Sequence, residues 1–401
     1  MIKTFRTSRR EFLKAGFAGI AGASILTSCS SNQSNPGDQS KDRKIVFRTL
    51  GRTGLRLPVV SMGSTYGIDL VRTALDEGIA YIHTSSGYAE RNHERLLGEV
   101  FSNRPRDSFV IGTSPDLPYD YGSGDRSMDL GLNADPDLIV KSIEGSLKRL
   151  KLEFIDIYWL PSIGRVETAR HEPYMRAFEQ LKKSGKTRFV GIGTHSNEPE
   201  IIRAAAESGF WDVVLTAYNF RQTHREDVRE AIRQAAEAGL GVVAMKTQAG
   251  VYWDRTRLKM INMKAALKWV LQDENVHTTI PDFSNYEEIL EDLSVMENLN
   301  LTQEERRDLK LGTGLGLAGL YCQQCRQCLP QCPAGLEIPG LMRAYMYAFG
   351  HGKPDKALET LRGWSSSGLA CRDCAACTVR CALGFDVRSR ALELVEVLEN
   401  A

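Results

Sequence analysis

The sequence has almost no net charge, because its 51 Lys and Arg residues stand against 50 Asp and Glu residues and leave +1 at pH 7. That balance excludes a nucleic-acid-binding protein that works through bulk positive charge. The composition is 42% hydrophobic, 8% aromatic and 25% charged, which excludes a polytopic membrane protein, a collagen and a disordered chain. What the chain does have is length: 401 residues suffice for two or three domains, or for one large barrel with an appendage.

The chain has nine cysteines, an odd number, so disulfides alone cannot account for all of them. The first, Cys29, ends an N-terminal segment with the features of a targeting signal. Residues 8–14 read Ser-Arg-Arg-Glu-Phe-Leu-Lys and resemble a twin-arginine export signal. An apolar run at 15–26 follows, too short for a membrane span of about 20 residues. It ends in Leu-Thr-Ser-Cys, which resembles a lipoprotein signal-peptidase site.

These features predict where the protein goes. We expect a signal peptide at 1–29, a flexible Ser-, Asn-, Gln- and Asp-rich tether at 30–43, and a mature protein held to a membrane by a lipid on Cys29. The protein would then face a periplasmic or other extracytoplasmic space. The alternative is a short buried helix that follows a basic start.

The middle of the chain alternates short β-branched or aromatic runs with helical stretches. After a predicted hairpin that begins at Phe47, eight strands are predicted at 58–63, 79–84, 108–113, 154–160, 188–193, 212–217, 241–246 and 277–281. Strands that alternate with helices indicate parallel βαβ units, and eight units over 44–300 approach the usual length of a (β/α)8 TIM barrel. The alternative is a doubly wound open sheet, which the lack of a G-x-G-x-x-G motif after the first strand disfavours.

Six segments in this region carry a family resemblance. They are FRTLGRTGLRLPVVSMG, ALDEGIAYIHTSSGY, FIDIYWL, RFVGIGTHS, AYNF and ALKWVLQDENVHTTIP, and in this order they resemble the aldo/keto reductases over residues 45–297. The resemblance implies an α/β barrel in which a Tyr donates a proton while NADPH delivers hydride to a carbonyl. It also implies a Lys and an Asp that tune the Tyr, and a His that orients the substrate.

Most of that catalytic set is missing from this chain. The family's Tyr falls on Tyr88, but its Asp falls on His83, its Lys on Ser114 and its His on Pro161. A phenol has a pKa near 10 and needs a nearby cation to work as an acid or base near neutral pH. A protonated His83, or Lys246 at the end of the seventh predicted strand, could supply that cation. The sequence therefore predicts Tyr88, His83 and Lys246 as the catalytic residues.

The nicotinamide site is also altered. The family's phosphate-binding turn falls on residues 280–285, and Asp282 stands where the family has Gly or a basic residue. A carboxylate beside a phosphate lowers its affinity. Ser284 and Asn285 remain able to bind a phosphate at a helix N-terminus, so they are the predicted cofactor-binding residues if NADP(H) binds. Other polar residues at predicted strand ends are Ser64, Tyr66, Thr113, His195, Tyr218, Asn219 and Gln248. The other histidines are expected on helix surfaces or loops.

The remaining eight cysteines form two runs of C-x2-C-x2-C-x3-C after a predicted linker at 301–320. The spacing is typical of bacterial ferredoxins that hold two [4Fe–4S] clusters, in which the fourth Cys of each run binds the other cluster. Zinc usually takes two separated pairs, and two identical runs would be an unusual disulfide framework. The predicted ligands are Cys322, Cys325, Cys328 and Cys381 for one cluster, and Cys371, Cys374, Cys377 and Cys332 for the other.

The last part of the chain, residues 321–401, is called the tail from here on. Predicted helices at 338–350 and 354–362 separate its two cysteine runs, and the tail resembles a small helical ferredoxin domain. The whole sequence predicts an exported iron–sulfur oxidoreductase that acts on a small carbonyl or sugar-like substrate and exchanges single electrons with a partner protein. Two alternatives stay open: a redox-silent barrel that serves as a binding module, and a barrel with non-redox sugar chemistry.

Overall fold

A β-hairpin opens the described part of the chain. The computed structural model describes residues 44–117, 130–361, 370–374 and 376–399, so the predicted signal peptide, the tether and Cys29 lie outside the described residues. Strands β1 (Phe47–Thr49) and β2 (Arg56–Pro58) pair antiparallel. In their connection the backbone N–H of Arg52 donates to the carbonyl of Gly239, 2.7 Å away, just before a strand of the barrel. The hairpin therefore packs against the N-terminal ends of the barrel strands.

Seven parallel strands follow in sequence order and form one sheet. They are β3 (Tyr81–His83), β4 (Val110–Thr113), β5 (Ile155–Leu160), β6 (Thr187–Thr194), β7 (Val213–Ala217), β8 (Gly241–Met245) and β9 (Thr278–Thr279). The strand predicted at 58–63 forms single parallel bridges on both sides, from Val60 to Thr279 and from Met62 to Ile82. It lies between the first and last strands of the sheet and closes the ring. The predicted (β/α)8 barrel is confirmed.

Helices connect the strands and pack around them. They are α1 (Ile68–Asp76), α2 (Tyr88–Arg91), α3 (His93–Phe101), α4 (Pro136–Leu150), α5 (Val166–Ala169), α6 (Glu172–Lys183), α7 (Glu198–Ser208), α8 (Arg225–Glu237), α9 (Met263–Leu271) and α10 (Tyr286–Ser294). Local sequence fixes several of their starts. The Asp135 side chain accepts from the N–H of Asp137 at 2.9 Å, and Pro136 occupies the first turn, where no intrahelical N–H bond is lost.

The barrel interior is filled with side chains below its C-terminal mouth. Trp159 of β5 is 1% exposed and packs with Tyr81 and Leu215. Glycines on the two neighbouring strands make this possible, because a Cβ at Gly191 would lie 2.4 Å from the indole ring and one at Gly112 would lie 2.6 Å from its nitrogen. The open space for a ligand therefore begins only at the mouth.

The tail is mainly helical and packs with the barrel in one compact unit. Its helices follow two linker helices, α11 (Gln303–Asp308) and α12 (Leu311–Gly314), and are α13 (Ile338–Tyr345), α14 (Pro354–Thr360), α15 (Ala370–Asp373) and α16 (Val387–Glu399). Every residue of α13 is buried, and it continues into a π-helical turn, Met346–Gly350. In the described parts of the chain, no helix is long and apolar enough to span a membrane.

Barrel and tail share one apolar core. Trp253 and Ile261, from the long connection after β8, belong to the same buried cluster as Leu341 and Tyr345 of α13. Helix α13 is apolar except for Arg343, and it is buried because it lies between the barrel and α16. The predicted small helical domain is thus confirmed as a fold, but it is not separate from the barrel surface.

Candidate functional site

A cavity of about 790 Å³ lies at the barrel mouth. Strand ends and the loops after them form one side of it, including His83, Ser114 and Lys246. The tail forms the other side with Arg343, Tyr347 and Lys356. Cavities of this size are typical of sites for small organic ligands. The candidate site is therefore built jointly by the two parts of the chain.

His83 and Tyr88 both line this cavity, as the sequence predicted. His83 ends β3, and its ring packs edge-on to Trp159 with the centroids 5.7 Å apart. Burial lowers the pKa of His83 to about 3, with a further contribution from the charge of Lys246. His83 is consequently neutral near pH 7 and offers no positive charge to Tyr88. Burial raises the pKa of Tyr88 above the usual value for a phenol, so Tyr88 is not activated.

Lys246 directly follows β8 with a left-handed backbone, at φ +58°. A residue other than glycine is rarely found there unless its surroundings hold it in place. The side-chain amide of Asn219 does so by donating to the Lys246 carbonyl at 3.1 Å. The Lys246 ammonium then reaches across the mouth and donates to the hydroxyl of Tyr347, and it lies 5.0 Å from the centroid of that ring.

Tyr347 belongs to the π-helical turn of the tail and is 7% exposed. Burial alone would raise the pKa of its phenol, but the nearby cations Lys246, Lys356 and Arg343 outweigh burial and lower it. The pKa values of the two tyrosines at the mouth are thus shifted in opposite directions: that of Tyr88 is raised and that of Tyr347 is lowered. The charge of Lys356 does not offset burial at Tyr88, whereas the hydroxyl of Tyr347 accepts a hydrogen bond from Lys246.

Lys356 of α14 fills the phosphate-binding turn predicted from the family resemblance. Its ammonium donates to the carboxylate of Asp282 and, at 2.7 Å, to the hydroxyl of Ser64. The backbone N–H of Ser64 also donates to Asp282 at 2.7 Å. Burial opposes both charges, but each holds the other ionised: the pKa of Asp282 is lowered and that of Lys356 is raised. Asp282 thereby fixes the tail to the barrel through its ion pair with Lys356.

The predicted cofactor-binding residues Ser284 and Asn285 are engaged with Glu288. The N–H of Ser284 donates to the Glu288 carboxylate at 2.6 Å, and the Asn285 side chain caps α10 by accepting from the N–H of Glu288 at 2.9 Å. A carboxylate thus occupies the donors that a phosphate would need. In this arrangement the residues at the turn do not fit a nicotinamide phosphate, and their role as cofactor ligands stays a prediction.

The other polar residues predicted at strand ends divide into two sets. Ser64, His195 and Gln248 line the cavity. Tyr66, Thr113, Tyr218 and Asn219 do not line it and bond to neighbouring protein groups; the hydroxyl of Tyr66, for example, donates to Glu359 of the tail at 3.0 Å. The expectation that the remaining histidines lie on helix surfaces or loops is wrong for His93, which begins α3 and is 1% exposed. His351 lies in the loop after the π-helical turn, as expected, but it lines the cavity beside Tyr347 with a pKa that burial lowers to about 3.

The eight tail cysteines are all free thiols in the structure, and they come together in two sets. Burial raises the pKa of Cys322 to about 12, and the nearby thiols of Cys328 and Cys381 raise it further. Burial likewise raises the pKa of Cys371, with added contributions from Cys332 and Cys377. In each set, the fourth cysteine of one run lies with the first three of the other run, as the ferredoxin spacing predicted.

The donor set fits iron–sulfur clusters, because each set offers four cysteine thiols and a [4Fe–4S] cluster takes four thiolates. Backbone N–H groups also point at the crossing sulfurs, from Leu336 to Cys332 at 3.5 Å and from Leu383 to Cys381 at 3.4 Å. Such bonds to sulfur tune cluster potentials.

A small gap lies between the first cysteine set and residues of the cavity wall. Its lining includes Cys322 together with His195 and Lys246, which also line the cavity. The gap is too small for a ligand, with a volume of about 10 Å³. Beside it, Gln323 anchors this end of the tail, because its side chain accepts from Thr223 at 2.8 Å and donates to the Arg221 carbonyl at 2.8 Å.

Comparison with known proteins agrees with this architecture. Residues 60–264, just over half of the chain, match the model of the aldo/keto reductase family. The chain belongs to the aldo/keto reductase family. Residues 321–386 match a 4Fe-4S dicluster domain, so this family member carries an iron–sulfur domain after its barrel.

Relatives and solved structures cover mainly the barrel. The chain is 26% identical to an L-glyceraldehyde 3-phosphate reductase of Escherichia coli O157:H7, over 65% of this chain and 90% of that protein. It is 24% identical to an L-galactose dehydrogenase of Arabidopsis thaliana, over 65% and 92%. The holo form of an aldo-keto reductase from Bacillus halodurans superimposes with a TM-score of 0.53 at 22% identity, covering 67% of this chain and 96% of that one. The last comparison shows the fold alone.

Sequence reasoning missed the residues that the tail contributes to the mouth. Arg343, Tyr347, Lys353 and Lys356 line the cavity, yet they lie outside the stretch that resembles the family. One signal was available: helix α13 is apolar except for Arg343, so most of its surface needed partners. Nothing in the sequence shows that the barrel mouth is one of those partners.

Proposed function

We propose that this protein is an exported iron–sulfur oxidoreductase that interconverts a carbonyl and an alcohol on a small polyhydroxylated substrate. The observation that carries the proposal is the shared wall: residues that line the substrate cavity also line the gap at Cys322. A reaction at the mouth is thus next to the first cysteine set. The relatives named for reactions on glyceraldehyde phosphate and galactose support the substrate class.

Two [4Fe–4S] clusters are proposed in the tail, one for each set of four cysteines. Bound there, they would store and pass one electron each, and two electrons are what carbonyl reduction requires. The protein supplies the remaining parts. The barrel mouth and the tail enclose the cavity from two sides, and cations on both sides of it, among them Arg343 and Lys246, favour a polar or anionic substrate.

The proposal does without a bound nicotinamide. Glu288 occupies the donors at the turn where the resemblance places a cofactor phosphate, and Lys356 with Asp282 fills the neighbouring space. Calorimetry with NADP(H) on the intact protein tests this point directly, and we expect no binding. Micromolar binding would restore a hydride route and would contradict a barrel supplied with electrons by the clusters alone.

Export fits the same picture. The twin-arginine route carries folded proteins, so clusters assembled in the cytoplasm can cross with the chain, and a lipid on Cys29 would keep the protein at the membrane near a redox partner. Metabolic labelling with a fatty acid tests the anchor. We expect label on the wild type and none on Cys29→Ser, and label that survives the substitution refutes the anchor.

The decisive test of the redox function is substrate-dependent reoxidation of reduced clusters. Protein is purified without oxygen, assayed for iron and sulfide, reduced with dithionite, and mixed with a panel of aldoses, ketoses and their phosphates while EPR follows the reduced clusters. We expect the signal to decay with one substrate class, with formation of the alcohol. The matched control is Ser114→Phe, which places a large side chain in the barrel side of the cavity wall at a residue that does not line the gap at Cys322.

One alternative, a barrel with non-redox sugar chemistry, has specific support. Ser114 and Pro161 stand where the family resemblance places a Lys and a His, and both line the cavity, so the family's reductase residues are replaced at the site itself. If no compound reoxidises the clusters and a sugar is instead epimerised or dehydrated without an electron donor, the non-redox alternative replaces the proposal.

A further inference from the structure

The tail brings a tyrosine and two ammonium groups together over the barrel mouth. Tyr347 lines the cavity, the ammonium of Lys246 donates to its hydroxyl, and that of Lys356 lies 5.2 Å from its ring centroid. The two lysines approach from opposite parts of the chain, one after β8 and one from α14. The phenol is therefore held between two cations in a mostly closed space.

We infer that Tyr347, supplied by the cluster-bearing tail, is the group that donates a proton to the substrate oxygen and takes one back in the reverse direction. Lys246 then acts through Tyr347 and is a positioning residue. The inference deepens the proposed function and rests on its carbonyl–alcohol chemistry. It assigns the proton transfer to a residue outside the part of the chain that matches the family.

Three observations carry the assignment. The first is position, since Tyr347 lines the same cavity as Tyr88 while only Tyr347 has a lysine bonded to its hydroxyl. The second is backbone geometry, because Lys246 has a left-handed conformation and Tyr347 lies in a π-helical turn, and both features are typical of functional sites. The third is electrostatic: cations favour the ionised phenol, which is the state that follows proton donation.

The proton balance of the step is simple. Reduction of a carbonyl takes two electrons and two protons. The O–H bond of Tyr347 breaks as the new O–H bond forms on the substrate, and solvent supplies the proton that ends on carbon. The two electrons are those that reduced clusters bound by the tail cysteines would supply. The tyrosinate is stabilised by Lys246 and Lys356 until solvent reprotonates it.

The titration of Tyr347 depends on groups from several elements. The charged or titratable side chains whose charge acts on it or that adjoin it are Lys246 after β8, Arg343 of α13, His351 and Lys353 after the π-helical turn, Lys356 of α14, Tyr88 of α2, and Tyr321 before the first cysteine run. Of these, the groups that carry charge near neutral pH are cations, because burial lowers the pKa of His351 to about 3 and raises those of Tyr88 and Tyr321. The carboxylate of Asp282 adjoins the set through its ion pair with Lys356.

The test needs no substrate. Holoprotein labelled with carbon-13 at the phenol carbon of tyrosine is titrated by NMR, and we expect one tyrosine to ionise below the usual value near 10. That signal should disappear in Tyr347→Phe and move upward by about one unit or more in Lys246→Met. It should remain in Tyr345→Phe, the matched control, whose hydroxyl bonds to Glu393 and whose pKa burial raises to about 12.

Two results would overturn the inference: no tyrosine that ionises below the ordinary range, or a low signal that survives in Tyr347→Phe. If that variant does not fold, Lys246→Met and Lys356→Met decide, because both keep Tyr347 and both must raise its pKa.

Kinetics separate this inference from the proposed function. With a substrate that reoxidises the clusters, Tyr347→Phe should lower kcat by about 10²- to 10⁴-fold with little change in KM. Lys246→Arg should retain more activity than Lys246→Met. Turnover at the wild-type rate in Tyr347→Phe refutes the inference and leaves the redox function intact. A low-pKa Tyr347 without turnover of any carbonyl refutes the redox function, and the acid–base pair stands.

Discussion

The ion pair between Lys356 and Asp282 gives the sharpest stability prediction, because it joins the tail to the barrel and is largely shielded from solvent. The Lys356 side chain is 10% exposed and that of Asp282 26%. In Lys356→Met the chain length is nearly kept and the charge is lost, so Asp282 remains largely buried without its cation. Removing one partner of a buried pair costs about 3–5 kcal/mol. Since Asp282 keeps its bonds from Ser64 and is partly exposed, we expect a loss near the lower limit, about 3 kcal/mol.

The assay is guanidinium unfolding of anaerobically purified protein, followed both by tryptophan fluorescence and by cluster absorbance. Two probes are needed because a tail that loosens before the barrel would break two-state behaviour. The matched control is Arg233→Gln on the exposed face of α8, where Arg233 is 44% exposed and pairs with Glu230 and Glu237. Loss of such a solvent-screened surface pair should cost much less than loss of the Lys356–Asp282 pair.

A double-mutant cycle and a pH series complete the test. Adding Asp282→Asn to Lys356→Met should recover part of the loss, with a coupling of about 1–3 kcal/mol. Asp282 has a lowered pKa, so its contribution is present above the unfolded value near 3.9 and disappears as pH falls through the lower folded value. Lys356 has a raised pKa, so its contribution persists up to about pH 10. A cost in Lys356→Met no larger than in Arg233→Gln refutes the reasoning.

Three further predictions follow from other parts of the structure. Cys332→Ser and Cys381→Ser should each lower the iron content by about half, and EPR should show a different cluster remaining in each; the same loss pattern for both would contradict the crossed ligand sets. Burial raises the pKa of Asp292 to about 8, so the free energy of unfolding should fall as pH rises from about 4 to 8, and Asp292→Asn should abolish that slope. Gly51→Ala should lower the free energy of unfolding by about 2–5 kcal/mol, because φ is +47° and the new Cβ would lie 2.4 Å from the backbone of β8. Gly54→Ala, at φ +71°, meets open space and should cost about 1–2 kcal/mol. Thermal denaturation of both variants checks the difference.

The barrel could be predicted from the sequence because its signals are local. Runs such as Ile155–Leu160 alternate with amphipathic helices, and the βαβ rule converts that order into a parallel barrel. The first barrel strand was the least regular element, since residues 58–63 pair through single bridges rather than a continuous ladder. A hydrophobic pattern shows that a segment is buried, but it does not show how many backbone hydrogen bonds the segment forms with the neighbouring strands.

The site was only partly predictable, for an equally physical reason. Lys246 was found because the C-terminal ends of barrel strands face one mouth. Its partner Tyr347 lies 101 residues further along the chain, and no local pattern encodes that contact. The conjecture that a protonated His83 supplies the cation fails on burial, which sequence alone does not report. The lysine–tyrosine pair that the family would place on barrel strands is present here, but its tyrosine, Tyr347, comes from the tail.

The composite mouth limits what homology can say about substrates. The relatives match about two thirds of this chain, whereas one wall of the cavity comes from residues 343–360, beyond the part that the family model matches. The substrate preference of a related barrel would therefore change with the domain that packs over its mouth. Exchanging the iron–sulfur tail between proteins of this kind would exchange specificity and electron supply together, as one inherited unit.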